Sequence, residues 1–360
     1  MSPLPEDRVE AFVDFHMHGF RFSLRAGPRE AAAIEQRVRR MLAAHLEPEP
    51  GVEPRPVTFD LITAAPGHDW SKTVAGLVPS AERQVFQIGP EKGYGRYFFS
   101  DDRSAVIVDG HFVLEVDRGA GAITAWLISA TAGEGRSMPD LNAYFLWAII
   151  EWFALGDHYL LHAAGVAGSP CGIAIIGESG WGKSTTSISL VKRGMGFLGD
   201  DLLFVDSRGT TPAIRAFTKP VKVDARTIAF HPELAPLRDD PDARILDGGR
   251  ETGEWGADIR RFFDVEIVRS MVPSALLFLE PARGREPGTA RLPAAGALER
   301  LLAAGEHQHS PRREAARFAA LSALVASAKS YRCLVREGAL FDVDPVLDLV
   351  REELRDVADK

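Results

Sequence analysis

The sequence predicts a mixed α/β protein of two domains, and three observations carry that expectation. Short, unbroken apolar runs at 172–176 and 275–279 read as strands buried on both faces. A glycine-rich turn lies between the first run and a helix-prone segment, the strand–turn–helix order of α/β folds. The first third of the chain instead alternates apolar and polar residues in several short stretches, as half-buried strands do.

Residues 12–24 alternate as one strand, and 29–46 carries Ile34, Val38, Met41, Leu42 and Leu46 at helical spacing. The proline-rich stretch 47–56 reads as a loop, because proline lacks a backbone donor and restricts its predecessor. Strands at 105–108 and 111–116 flank Asp109-Gly110, a pair that accepts the positive φ of a tight turn, and another strand follows at 123–128. From Ser137, with Pro139 in the first turn, a helix places Leu141, Tyr144, Phe145, Ala148, Ile149 and Trp152 on one stripe and stops at Gly156. That helix is taken as the entry to the second domain. The division is therefore an N-terminal α+β domain at 1–136, for recognising or positioning a substrate, and a catalytic domain at 137–360.

Within the catalytic domain, 159–167 and 172–176 read as two strands joined at Gly168-Ser169-Pro170. A helix at 182–193 ends at Gly194 and leads to a short strand at Phe197-Leu198. The acidic, glycine-rich stretch 238–258 reads as a loop. The last sixty residues alternate helix-prone stretches with one strand at 331–335.

Composition excludes several classes. The 360 residues suit about two domains, and 46% hydrophobic with 26% charged residues is globular rather than disordered or collagen-like. A formal charge of −8, from 42 Lys+Arg against 50 Asp+Glu, argues against a nucleic-acid partner. Cys171 and Cys333 fit no disulfide framework and point to a reducing compartment. Residues 1–10 lack the basic start and apolar run of a signal peptide. The longest apolar stretch, 144–155, is broken by Glu151 and is shorter than the ~20 residues of a membrane span. A cytoplasmic protein without a membrane partner is expected, and homo-oligomerisation is left open.

Gly177-Glu178-Ser179-Gly180-Trp181-Gly182-Lys183-Ser184 fits G-x-x-x-x-G-K-[ST] at every fixed position, after a strand and before a helix. Glycines let successive N–H groups curl around one anion, and the helix N-terminus adds partial positive charge. The pattern predicts that Gly177, Ser179, Gly180, Trp181, Gly182, Lys183 and Ser184, with the adjoining Thr185, hold the phosphates of a nucleotide. Lys183 would lie on the β- and γ-phosphates and the Ser184 hydroxyl on Mg²⁺. A glycine-rich turn with an exposed lysine is the plain alternative. Motors, GTPases, transporter ATPases and kinases share such a loop, so the next acidic residues discriminate. Asp200 and Asp201 come seventeen and eighteen residues after Lys183, a gap that one helix and one strand fill. A βαβ path returns both carboxylates to the phosphate end of the sheet, where one binds metal and the other orients and deprotonates a hydroxyl. A solvated Asp-Asp turn is the alternative here.

His162-Ala163-Ala164-Gly165-Val166-Ala167, the loop 177–185, Arg193-Gly194 and Gly199-Asp200-Asp201-Leu202 together resemble the catalytic core of the HPr serine kinase/phosphorylases and their relatives, which include kinases of lasso-peptide gene clusters. The match is strong over 161–205 and weak at 217–222 and 273–280. The resemblance implies a P-loop kinase core of the HPr kinase and phosphoenolpyruvate carboxykinase type, and transfer from ATP to a serine hydroxyl of a protein or peptide. It implies Asp200 as catalytic base, Asp201 as the acidic partner near Mg²⁺, and His162 as an active-site histidine beside Lys183. Lys222 and Arg261 are further candidates to stabilise charge on the transferring group, with a solvated surface charge as the alternative for each. Where HPr kinases proper carry Glu-Ile-Arg-Gly-x-Gly this chain reads Ala257-Asp258-Ile259-Arg260-Arg261-Phe262, and Thr185 stands where they have glutamate. These departures mark a divergent member.

Three other readings compete. A small-molecule hydroxyl acceptor fits the same residues, and a nucleotide-binding recognition protein fits the loop alone. Asp14-Phe15-His16-Met17-His18 imitates the D-x-H-x-H of a metal-dependent amidohydrolase, but that reading needs eight strand–helix repeats. His307-Gln308-His309 is a weaker histidine pair, and Leu277-Phe278-Leu279-Glu280-Pro281 imitates an ABC-type ATPase strand without its Leu-Ser-Gly-Gly-Gln partner.

Overall fold

The computed structural model describes residues 10–65, 67–80, 83–88, 91–128, 142–168, 171–247, 250–305, 310–336, 338–339, 341–348 and 350. The expected helix start at 137–141, the Ser169-Pro170 turn and the 307–309 histidine pair lie outside these residues. The chain divides into two compact units, Met1–Gly156 with Gln308–Arg313, and Asp157–His307 with Glu314–Lys360.

The first unit is built on strands β1 (Glu10–Met17), β2 (Phe20–Ala26), β3 (Arg55–Ala64), β4 (Val78–Pro79), β5 (Arg83–Ile88), β6 (Glu91–Phe99), β7 (Arg103–Val108), β8 (Phe112–Asp117) and β9 (Ala122–Ile128). Helix α1 (Pro28–Met41) follows β2, and α2 (Trp147–Ala154) follows a π turn at Asn142–Leu146. The strands pair in the order β1-β2-β3-β9-β8-β7-β6-β4, with β5 also on β6. The stretch 12–24 is a hairpin rather than one strand: Met17 pairs with Phe20, and His18 and Gly19 turn the chain at φ 52° and 83°. The Asp109-Gly110 hairpin is present, with Val108 opposite Phe112. The unit boundary falls after α2 rather than before it. Tyr144, Phe145, Ala148, Ile149 and Trp152 are all buried in this unit. Phe145 stacks on Phe59 at 5.3 Å and Trp152 meets Phe22 edge-on at 5.7 Å, which ties the helix to the sheet before it.

The second unit contains β10 (His158–Leu161), β11 (Ala163–Gly168), β12 (Cys171–Ile176), α3 (Lys183–Val191), β13 (Gly196–Gly199), β14 (Leu203–Asp206), β15 (Ala213–Ala216), β16 (Val221–Asp224) and α4 (Ala225–Phe230). It continues with β17 (Arg244–Asp247), β18 (Arg250–Ala257), β19 (Ser270–Met271), β20 (Ala275–Pro281), β21 (Gly288–Arg291), α5 (Ala294–Ala304), α6 (Pro311–Ser327, which enters this unit from Glu314 onward) and β22 (Lys329–Val335). A six-stranded sheet, β13-β11-β12-β20-β22-β21, forms its centre. Alternate residues serve two cores. Ile173, Ile175, Leu277 and Leu279 pack with Ile188 and Leu190 of α3, while Ala174, Ile176, Leu276 and Phe278 pack with Leu301 of α5 and Leu321 and Leu324 of α6. Burial on both faces explains the unbroken apolar runs.

Two expectations change here. The single strand at 159–167 is two strands of different sheets: β10 pairs with β14, and β11 with β12 and β13. His162 sits at the break, where its N–H donates to the Ala304 carbonyl at 2.8 Å. Within the stretch 238–258, residues 244–247 and 250–257 are strands rather than loop, because β17 and β18 pair with each other and β18 pairs with β16. Its alternation is carried by polar residues around Trp255, so apolar periodicity does not reveal it. Cys171 and Cys333 are buried, and burial pushes the Cys333 thiol up to about 12, which leaves it a small apolar group. Among the described residues no helix is long and apolar enough to cross a membrane.

At the end of β14, Asp206 takes Nε of Arg208 at 2.9 Å and Nε of Arg215 at 2.7 Å. Burial works against its ionisation, but the two guanidiniums outweigh burial and hold the carboxyl well below the usual range. A depressed carboxylate pKa stabilises the fold above the unfolded value of about 3.9 and loses that contribution as pH falls through the folded value. Asp206→Asn should therefore cost about 2–3 kcal/mol at pH 7, a gap that closes on acidification from about pH 5 toward pH 2. Urea unfolding across that range tests it, and equal stability of the two proteins at pH 7 refutes it.

Candidate functional site

Strand β12 is buried throughout and delivers the loop 177–182 to α3. Gly180 and Gly182 turn at φ 81° and 93°, a left-handed conformation that side chains resist. Gly182 is also the N-cap of α3, and no side chain caps that end, so the first-turn N–H groups are left for water or a ligand. Lys183 is buried, and its Nζ donates to the carbonyls of Gly177 at 2.8 Å and Glu178 at 3.2 Å. Burial lowers its pKa, while Asp200, Asp201 and Glu178 act to raise it.

Strand β13 runs in the same direction as β12, since β11 lies antiparallel to both. Its C-terminal end therefore brings Asp200 and Asp201 to the loop edge of the sheet. The two carboxylates then part. Asp201 adopts φ 77°, a left-handed turn that a short polar side chain tolerates better than most, and its N–H donates to the Ala163 carbonyl at 2.9 Å. Asp200 turns inward and accepts the Ser184 hydroxyl at 2.6 Å. Asp201 turns to His162, whose Nδ1 is 2.6 Å away, and to Lys219, whose Nζ is 2.8 Å away.

The electrostatics of the pair diverge as well. Asp200 is fully enclosed, and burial pushes its carboxyl pKa up against the Ser184 hydrogen bond and the two lysines. Burial also acts to raise the pKa of Asp201, but the His162 hydrogen bond and Lys219 outweigh it and hold the carboxyl well below the usual range.

A cavity of about 560 Å³ is lined by His162, Ser179–Thr186, Asp200, Asp201 and Lys222, and continues past Arg226 on α4 and Arg283 and Arg336 beyond β20 and β22. The cavity wall thus includes most of the residues singled out by sequence. Gly177 contributes its carbonyl to Lys183 instead. Thr185 is steadied by Thr227, with 3.1 Å between hydroxyl oxygens. Lys222 reaches the cavity but pairs with Glu254 at 2.7 Å, and more than half of its side chain is exposed. Arg261 lies elsewhere, with Nη1 3.2 Å from Asp240 and its guanidinium over the Phe262 ring. A short turn at Ile259–Arg261 carries it, and it is not among the residues that line the cavity.

A hydroxyl and a buried carboxylate are hard oxygen donors of the kind Mg²⁺ takes, and an enclosed carboxylate with a raised pKa is a place where a cation repays desolvation. Among the described residues no group of three or more His, Cys, Asp or Glu side chains suits a metal ion. Mg²⁺ needs no such cage, because it binds through one or two carboxylates and substrate phosphates. The amidohydrolase reading does need one. Asp14 on β1 is exposed while His16 on the same strand and His18 in the turn after it are buried, and the described sheet around them is not a ring of strand–helix repeats.

No family model matches the chain, and no curated protein matches it. Among solved structures it is similar to the HPr(Ser) kinase/phosphatase from Coxiella burnetii, at 13% identity and a TM-score of 0.29, over 56% of this chain and 92% of that one. So slight a likeness carries no inference about chemistry.

Lys219, Arg226, Arg283 and Arg336 escaped the sequence reading. Lys219 lies three residues before Lys222 in the same stretch, yet Lys222 is an outward residue of β16 and Lys219 precedes the strand. Its neighbour Pro220, which cannot donate to a sheet ladder, was the available signal that the strand had not yet begun.

Proposed function

We propose that the chain is an ATP- and Mg²⁺-dependent phosphotransferase of the HPr kinase-like type, passing the γ-phosphoryl group to a serine hydroxyl of a protein or peptide in the cytoplasm. The observation that supports it is the convergence in one cavity of Lys183 and Ser184 from the loop with two carboxylates in different electrostatic states. In this reading loop 177–185 cradles the phosphates and Lys183 turns from its loop carbonyls to the β- and γ-phosphates. Ser184 and Asp200 hold Mg²⁺, which supplies positive charge to the phosphoryl oxygens.

The contacts favour a division of labour opposite to the sequence expectation, since the loop serine reaches Asp200 and not Asp201. Asp201, fixed by His162 and Lys219, accepts the hydrogen bond of the incoming hydroxyl. A carboxylate held far below its usual pKa is a weak base, so its task is mainly orientation. That suffices where the transition state is loose and the hydroxyl loses its proton late. The new bond joins the hydroxyl oxygen to Pγ, the bond from Pγ to the β–γ bridging oxygen breaks and ADP leaves with that electron pair, while the hydroxyl proton departs late through the Asp201 carboxylate to solvent. The N-terminal domain at 1–136 recognises or positions the acceptor.

Incubating the full chain with γ-labelled ATP, Mg²⁺ and a cell lysate, then separating polypeptides from small molecules, tests this. Acid-stable label on serine in a polypeptide is expected. Label in small molecules alone would move the reading to a metabolite kinase, and no label despite bound ATP would leave a recognition protein.

A further inference from the structure

The cavity extends well past the loop and the aspartates, and strand order tells one end from the other. β12 and β20 are parallel, as are β20 and β22, so β13, β12, β20 and β22 all point the same way. Ligands of open α/β sheets bind along that edge. β13 brings the two aspartates to one side of the loop. β20 and β22 bring Pro281, Arg283, Val335 and Arg336 to the other side, and Phe341 follows them in the cavity wall. A nucleotide with phosphates on the loop and its terminal phosphate toward the aspartates therefore points its nucleoside at β20 and β22.

That end has a distinct chemistry. Arg283 and Arg336 are exposed, and neither guanidinium has a partner among the described residues. Nearby Glu280 is engaged by Arg300 and Arg285 instead. Arg283 also sits at φ 47°, a left-handed conformation uncommon for a long side chain and the kind of strain that collects at ligand sites. Val335 and Phe341 pack partly buried on the core and form an apolar wall. Guanidiniums and an aromatic ring stack on any planar base. Among the described lining residues at this end none is Asn, Gln, Asp, Glu, Ser or Thr, so no such side chain tells a 6-amino from a 6-oxo purine.

We infer that the β20–β22 end of the cavity is a nucleoside subsite, in which a purine base stacks on Phe341 and on the Arg283 and Arg336 guanidiniums with little discrimination between adenine and guanine. The inference rests on the nucleotide reading of the loop. It adds which residues grip the donor and why donor choice is loose.

Calorimetric binding to the full chain with Mg²⁺ tests it, using non-hydrolysable ATP and GTP analogues and inorganic tripolyphosphate as separate probes. The wild type should bind the two analogues within about fivefold of each other and at least about tenfold more tightly than tripolyphosphate. Phe341→Leu, which keeps an apolar side chain on the core but removes the ring, and Arg336→Ala should each shrink the analogue-to-tripolyphosphate ratio by about fivefold or more. An unchanged ratio in both variants overturns the subsite. So does an equal loss for analogue and tripolyphosphate, which would put Arg336 on the phosphates, or a preference between the two purines beyond about a hundredfold. Failure of the underlying reading looks different: the wild type then binds none of the three probes, or Lys183→Ala binds tripolyphosphate as well as the wild type does.

Discussion

Asp200→Asn is expected to lower single-turnover phosphoryl transfer by at least about 10³-fold while raising the thermal stability of the ligand-free protein. Both halves come from one fact, the enclosure of this carboxylate. Its folded-state pKa is raised, so the ionised side chain disfavours the fold. That penalty is absent well below the unfolded value of about 3.9 and grows as pH rises through the folded value. Asparagine keeps the shape and an oxygen for the Ser184 hydroxyl but carries no charge to desolvate, and Lys183 still has Asp201 and Glu178 as counter-charges. The variant should therefore melt higher than the wild type at pH 7, and the difference should fade in acid. Millimolar Mg²⁺ with nucleotide should raise the melting temperature of the wild type and do much less for the variant. A variant that melts lower at pH 7, or transfers within about tenfold of wild type, would show that Asp200 serves the fold rather than the metal.

Local pattern made the centre of the second unit legible because both faces of its sheet are buried. Ile173 and Ala174 serve different cores, yet both must be apolar, so the run is continuous and its length alone marks a strand. The same property hid the break at His162. Leu161 and Ala163 are equally buried, and nothing in a short window says that one belongs to the sheet of β14 and the other to that of β12. In the first unit the turn at His18 was missed because a positive φ there falls on histidine ahead of the glycine, whereas Asp109-Gly110 advertised its turn.

The site divides in the same way. Spacing placed the loop and the Asp-Asp pair correctly on strand ends, since one helix and one strand have nearly fixed lengths. Which aspartate touches which partner depends on one dihedral, the left-handed turn at Asp201, and adjacent identical residues give no hint of it. Arg283 and Arg336 lie fifty-three residues apart and meet one cavity only because β20 and β22 are neighbours. Strand order is a tertiary fact with no local signature, and so the far end of the cavity was invisible from sequence.

Lys183→Ala should weaken nucleotide binding by about 10–100-fold and transfer by at least about 10³-fold, a split that separates it from Asp200→Asn. In the ligand-free chain the ammonium is buried and donates to two carbonyls of its own loop, so binding exchanges those neutral acceptors for anionic oxygens. Charge-assisted bonds are roughly twice as strong as neutral ones, and their strength grows in a low dielectric, which sets the loss in affinity. The loss in rate is larger because charge accumulates on the transferring group only in the transition state. Lys183→Arg should recover little of either, since a planar guanidinium does not fit where a compact ammonium reaches the carbonyls of Gly177 and Glu178 at 2.8 Å and 3.2 Å. Calorimetry for affinity and rapid quench for transfer check both numbers. Full affinity together with full transfer in Lys183→Ala would remove the loop from phosphate binding altogether.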